Sequence, residues 1–337
     1  MFCRAAVWLL LVACGSAPAA ERTPDPTRVE LQPGDVTFVG MCDASGAVPL
    51  DGSKFVVADD EDTILRTYDV KGGAPIAMLD VTDAIIPPTA RAEVLPTDEV
   101  DIEAATRVGN VAFWIASHAR RKGGKPAPAR LRFFATNTPS GDEPMRVLGT
   151  TDRLLAAMIS EPKFAHLPLA KAAITGPTED GGLNIEGLSA RREGGVWIAF
   201  RNPVVGGKAL VIGLENPLEL IQGGPAKFVA PVLLDLDGLG IRAMTQYRGR
   251  YAVVAGHPIH ARRSVLHVWK GTRANPRAMK KLDLTQFNAE AFVARDDRDR
   301  IMLLSDDGTV MIDGKECKRL ADPAMKQFHG RWVALPN

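Results

Sequence analysis

The chain is poor in net charge and in cysteine, and it lacks the short motifs that name a chemistry outright. Lysine plus arginine number 41 against 40 aspartates and glutamates, a formal net charge of +1. A polyanion such as nucleic acid is therefore not an implied partner. Only four cysteines occur in 337 residues, with no Cys-x-x-Cys pair, so thiolate zinc chemistry is not indicated. There is no Gly-x-Ser-x-Gly elbow, Walker loop or dinucleotide fingerprint. The apolar stretch from Ala5 to Ala13 is too short for a permanent bilayer span. With Arg4 before it and Ser16-Ala17-Pro18-Ala19-Ala20 after it, it predicts an export signal over Met1 to Ala20. Leu11-Val12-Ala13-Cys14 also reads as a lipobox, which would lipidate Cys14 and tether the chain to a membrane. Cleavage near Ala19 or Ala20 ranks ahead, because Cys14 lies so close to the start. Either route places the mature chain outside the cytoplasm, as one monomeric all-β domain over 21–337.

What is present is a two-part echo that occurs five times. The first part sets an ionic residue before a small one: Cys42-Asp43-Ala44, Ile102-Glu103-Ala104, Ile185-Glu186-Gly187, Ile241-Arg242-Ala243 and Ala289-Glu290-Ala291. The second part is an apolar run that ends on a polar residue: Asp60, His118, Arg201, His257 and Asp307. Glu103 to His118, Glu186 to Arg201 and Arg242 to His257 are equal steps; Asp43 to Asp60 and Glu290 to Asp307 are two residues longer. Turn residues separate the parts, and third and fourth apolar runs follow in most units, for example Ala209 to Leu214 and then Phe228 to Leu234. Four short antiparallel strands repeated at a fixed period predict a β-propeller, with five blades favoured. A sixth stays open if the termini form a blade of their own. A pair of β-sandwiches would explain the strand density but not the constant interval.

The last unit offers Thr309 to Ile312 as its third strand and lacks a fourth. Arg28 to Leu31 or Gly330 to Leu335 could supply it, closing the ring and removing an exposed edge. The stretch 151–175 breaks the pattern. Leu154, Leu155, Met158 and Ile159 fall at helical spacing, Thr151 or Asp152 is placed to cap, and Pro162 ends the helix. Leu167 to Ile174 suggests a second helix in this insertion between blades two and three.

Closing the ring makes Cys42 and Cys317 neighbours. A disulfide between them would span a loop long enough to stabilise by roughly 4–5 kcal/mol in the chain-entropy model. Strand directions place both polar columns on one face. Asp43, Glu103, Glu186, Arg242 and Glu290 would ring the channel mouth, with Asp60, His118, Arg201, His257 and Asp307 behind them. Four gathered carboxylates need offsetting cations. Arginine, protonated histidine or a bound metal could provide them, with Ca²⁺ preferred over Mg²⁺ or Mn²⁺ and Zn²⁺ admitted by the histidines. The same columns read equally well as a purely structural ion-pair network. Basic segments such as Arg120-Arg121-Lys122 and Arg262-Arg263 would rim the centre, although such segments are most often solvated. Asp59-Asp60-Glu61-Asp62 has the composition of a calcium loop without the EF-hand spacing or glycine.

Taken together, Cys42-Asp43-Ala44-Ser45-Gly46, Asp101-Ile102-Glu103-Ala104, Asn184-Ile185-Glu186-Gly187-Leu188, Gly240-Ile241-Arg242-Ala243, Asn288-Ala289-Glu290-Ala291 and Ser305-Asp306-Asp307-Gly308 with Cys317-Lys318 resemble a family. It is the large group of uncharacterised bacterial proteins known as domain of unknown function 3616. The resemblance runs from about Phe38 to Leu335 and implies a propeller-like fold with no established activity. Esterase-like phytases and calcium-dependent nucleotidases are loosely similar secreted propellers, a likeness of fold alone. The expectation from the residues is a metal-dependent hydrolase acting on a phosphoester. Asp43, Glu103, Glu186 and Glu290 would hold the cation, His118 or His257 would act as acid or base, and Arg201, Arg242, Asp60 and Asp307 would bind the anionic molecule. The alternatives are a non-catalytic module that binds a ligand or a cell-envelope partner, and glycoside cleavage by two carboxylates.

Overall fold

The computed structural model describes residues 25–86, 99–139, 143–260, 264–271 and 275–336. The expected export signal and Cys14 lie outside them. Five four-stranded antiparallel sheets form a five-bladed β-propeller. Strand β1 (Val36–Val39) precedes the first complete blade, β2 (Gly46–Pro49), β3 (Lys54–Ala58), β4 (Ile64–Asp69) and β5 (Ala77–Asp80). The short helix α1 (Thr82–Ile85) follows. Blade two is β6 (Ile102–Val108), β7 (Val111–Ala116), β8 (Phe133–Asn137) and β9 (Val147–Thr151). After the insertion, with α2 (Leu154–Ser160) and α3 (Leu169–Ala172), comes blade three. It holds β10 (Asn184–Ala190), β11 (Val196–Val205), β12 (Lys208–Leu214) and, beyond α4 (Pro217–Ile221), β13 (Val232–Leu234). Blade four is β14 (Gly240–Tyr247), β15 (Arg250–Gly256), β16 (Val265–Trp269) and β17 (Arg277–Ala278). Its outer strand ends before the expected run Met279 to Leu284.

The fifth blade joins both ends of the chain. Its inner strands are β18 (Ala289–Val293) and β19 (Ile301–Ser305). The expected third strand at Thr309 to Ile312 instead enters a small hairpin, β20 (Met311–Ile312) with β21 (Lys315–Glu316). The third place goes to β22 (Gln327–Val333) and the fourth to β1, paired from Val36↔Gly330 to Val39↔Gln327. Both termini therefore contribute, and the N-terminal strand lies after Arg28 to Leu31 rather than on it. The reason is packing. Phe38 and Phe328 stack at 4.8 Å between ring centroids, inside an apolar cluster with Phe55, Tyr68 and Met302. The Tyr68 hydroxyl donates to the Val39 carbonyl at 2.9 Å.

The insertion buries Leu154, Met158, Phe164 and Leu169 in the core shared by blades two and three. Helix α2 starts at Leu154, with Arg153 at its N-cap and no capping side chain. The Thr151 hydroxyl accepts the Arg153 N–H just before it.

The first part of each echo is a β-bulge in four of the five blades. Ile102 pairs with Ala116 and Ala104 with Ile115, leaving Glu103 as the extra residue. Glu186, Arg242 and Glu290 are the extra residues between β10 and β11, β14 and β15, and β18 and β19. A bulge turns its side chain out of the pleat. The small residue that follows lets the inner strands converge on the axis. A Cβ on Gly46 would lie 2.8 Å from the Ala104 carbonyl carbon in blade two, and one on Gly187 would lie 3.2 Å from the Ile241 Cγ2 in blade four. Below the mouth the channel narrows to about 10 Å³ between Ala104, Leu188, Ala243 and Phe292.

The Cys42–Cys317 disulfide forms across the junction of blades one and five, closing a separation of 275 residues. Replacing both cysteines by serine is expected to lower unfolding free energy by about 5 kcal/mol, from lost loop-closure restraint. Denaturant titration checks this; a loss under about 1 kcal/mol would mean the strand pairing alone sets closure.

Candidate functional site

A cavity of about 340 Å³ opens at the mouth, above the neck. Of the residues singled out in sequence, Asp60, Glu103, Glu186, Arg201, Arg242, Glu290 and Asp307 line it. Asp43 lies behind this wall and is buried. His118 and His257 are not among the lining residues.

The shift of the two histidines has a geometric origin. In blade three the hairpin is one residue longer, so Arg201 falls two residues past Ala199, the partner of Gly187. His118, His257 and Asp307 fall three residues past the matching partners Ile115, Val254 and Leu304. The counterpart of Arg201 in blade five is Asp306, which also lines the cavity. His118 has a left-handed backbone (φ 54°) and turns its Nδ1 to the Ala116 carbonyl at 2.8 Å. Burial pushes its pKa down to about 4, so the ring is neutral. The His257 Nδ1 accepts the Ile259 and His260 N–H groups, and its carbonyl accepts the Arg201 Nε at 3.2 Å. Asp307 Oδ2 accepts from Ser305 Oγ at 2.8 Å and faces His329 Nδ1 at 2.5 Å.

The mouth is divided electrostatically. On the side of blades three to five, Glu186 meets Arg201 at 2.7 Å and Arg242 at 3.5 Å, and Arg242 also pairs with Glu290. Arg242 further donates to Asn288. Each arginine thus has a carboxylate against it. On the opposite side, blades one, two and five gather Asp43, Asp59, Asp60, Glu103 and Asp306. Asp43 and Asp306 form an isolated antiparallel bridge across the closure. Burial and then the Asp306 charge push the Asp43 carboxyl well above the carboxylate range. Burial likewise raises Asp60 and Glu103 well above it, with neighbouring carboxylates adding to the effect, and takes Asp59 to about 7. Asp306 stays low: burial opposes this, but the hydrogen bond from Asp43 and the Arg242 charge outweigh it. Asp59, Asp306 and Asn288 were not singled out as site residues. The acidic run Asp59 to Asp62 was the available signal for the first.

Comparison with known families matches residues 137–309 to "Protein of unknown function (DUF3616)". The chain belongs to this family. The match covers half of the chain and carries no assigned activity. No curated protein matches the sequence. Among solved structures, the PQQ-bound aldose sugar dehydrogenase of Streptomyces coelicolor is similar at 11% identity and a TM-score of 0.43, over 92% of this chain and 100% of that one. Glutaminyl cyclase of Myxococcus xanthus is similar at 12% identity and 0.43, over 90% and 98%. An exo-β-1,3-galactanase of Phanerochaete chrysosporium is similar at 9% and 0.46, over 89% and 64%.

Two predictions follow from the charge layout. Arg242→Met strands Glu186 and Glu290 without their shared cation, and is expected to cost roughly 3–5 kcal/mol in chemical denaturation. A cost below 1 kcal/mol would show that the triad is dispensable. The raised acids favour folding while protonated, so their contribution is full below the ordinary carboxylate value of 3.8 and is lost as pH rises from there through the raised values, which for Asp59 is about 7. His118 acts oppositely, but its stabilising effect is complete above 6.5. Between pH 6.5 and 8 the metal-free melting temperature is therefore expected to fall by several degrees through Asp43, Asp60 and Glu103, and Asp60→Asn should shrink that fall. A flat profile in the wild type would contradict the charge burial.

Proposed function

We propose that the protein acts outside the cytoplasm and binds a small anionic molecule through a divalent cation in the mouth cavity, with phosphoester hydrolysis as its reaction. The single observation that supports this is charge excess. Eight carboxylates line the cavity against four arginines. Arg201 and Arg242 are engaged by Glu186 and Glu290, and Arg130 by Asp101 at 2.9 Å. A bare anion would find three of the four arginines already engaged, whereas a cation that displaces the protons of the raised carboxyls Asp60 and Glu103 would give it a positive partner. The disulfide is compatible with an oxidising compartment. No helix among the described residues is long and apolar enough to cross a membrane.

Proton transfer in this reading falls to a carboxyl group. Glu103 lines the cavity, and burial raises its pKa, the direction a general acid or base near neutral pH requires. A second reading, binding without catalysis, is favoured by the absence of His118 and His257 from the lining. The test is hydrolysis of p-nitrophenyl phosphate and bis-p-nitrophenyl phosphate by metal-stripped protein resupplied with Ca²⁺, Mn²⁺ or Mg²⁺. Turnover is expected, falling about 100-fold or more in Glu103→Gln with the melting temperature unchanged or raised. Cation-dependent binding of either ester without turnover would establish the second reading; neither binding nor turnover would remove both.

A further inference from the structure

We infer that the cation seat of this cavity is a preformed calcium site at the closure of the ring, made by Asp43, Asp59 and Asp60, and not by the glutamates of the inner column. The inference deepens the cation-dependent reading above and rests on it. Asp43, Asp59 and Asp60 can each offer one carboxylate oxygen such that all three lie within 4.8 Å of one another. A set of carboxylate oxygens with further positions left open suits Ca²⁺, which takes six to eight oxygen ligands at about 2.3–2.6 Å.

Independent of that clustering, Asp43 Oδ1 and Asp60 Oδ1 are buried oxygens without a hydrogen-bond partner among the described residues. The Asp43 side chain is buried, with the residue only 3% exposed. An ionised oxygen in that setting costs several kcal/mol unless a cation or donor meets it. The nearby basic groups are committed elsewhere. Lys318 pairs with Glu61 at 2.9 Å, and Arg66 pairs with Asp62 at 2.5 Å. Glu186 and Glu290 already face arginines, so a cation there would have to displace an ion pair.

The scaffold holds the three aspartates from both sides of the ring closure. Asp59 is fixed by accepting the Glu61 N–H at 3.0 Å, in the turn after β3. Asp43 follows Cys42, whose sulfur is bonded to Cys317 and whose carbonyl accepts the Asp307 N–H at 2.9 Å. Gly308 lies against the Asp43 carboxylate, where any Cβ would collide with it. Three monodentate carboxylates leave at least three of the six to eight positions around Ca²⁺. Asp60 lines the cavity, so the seat adjoins it, and water or oxygens of an anionic ligand would complete the coordination.

The experiment is calorimetric titration of EDTA-stripped full-length mature protein with CaCl₂, alongside thermal unfolding with and without Ca²⁺. One Ca²⁺ per chain is expected, with a higher melting temperature when bound. Asp43→Asn and Asp60→Asn are each expected to weaken Ca²⁺ binding at least tenfold while melting no lower than wild type in EDTA. That combination separates a cation seat from a merely structural role, which would lose stability. Wild type that binds no Ca²⁺ overturns the site, as does loss of binding in Glu290→Gln with retention in Asp43→Asn. Binding seen only with p-nitrophenyl phosphate present overturns the preformed seat and leaves the broader cavity reading standing.

Discussion

The constraint on which the rest depends is the crowding of five inner strands around one axis. At Gly46 the neighbouring inner strand approaches so closely that a methyl group would clash with the Ala104 and Ala105 backbone. The neck is lined mostly by small and apolar residues, and the ionic side chains gather at its upper rim, where Glu186 and Glu290 line both neck and mouth. The bulge places them there: it adds one residue to the inner strand, breaks the alternation for that residue alone, and resumes pairing on a small one. Repeated at Glu103, Glu186, Arg242 and Glu290, it makes a ring of charge from a local backbone irregularity. The first blade does without the bulge. Its ladder starts at Gly46, and Asp43, ahead of it, bridges to Asp306 of the last blade.

A ring of like charge would resist closure, and the chain answers this differently on its two sides. Arg242, the one base in the inner column, stands between Glu186 and Glu290 and neutralises that arc together with Arg201. The opposite arc keeps its carboxylates together, and it coincides with the seam where the termini meet. That seam is also where the structure is most heavily tied. The disulfide, the β1–β22 pairing and the Phe38–Phe328 stack all lie on it. The repulsion among the aspartates is thus confined by covalent and apolar restraints instead of relaxing by separation of the blades.

The fold was legible because the bulge leaves a sequence trace, ionic then small, that recurs with the strands. The blade number, the helical insertion and the disulfide all followed from that trace. The site was legible only to within one residue. A constant interval aligned Arg201 with His118 and His257, but the longer third hairpin puts Arg201 one step out of their register, into the cavity. Hairpin length at this resolution is set by turn geometry across Arg191 to Gly195, which residue types alone do not fix. Asp306 was hidden for another reason. Its partnership with Asp43 crosses the ring closure, and no local spacing encodes a contact between residues at opposite ends of the chain.

The irregular position of Arg242 can now be assigned a physical consequence. By charge alone it marks the third and fourth blades as the place for an anion. Its guanidinium, however, is surrounded by Glu186, Glu290 and Asn288, so little of its hydrogen-bonding capacity is left for a ligand. What Arg242 provides is an asymmetric field across a cavity of about 340 Å³: a neutralised wall on one side and uncompensated carboxylates on the other. Under the proposed reading, an anionic ligand enters such a field through a cation held on the acidic wall. The arginine cancels charge on its own side, and in the proposed reading the aspartates at the seam are left to hold the cation.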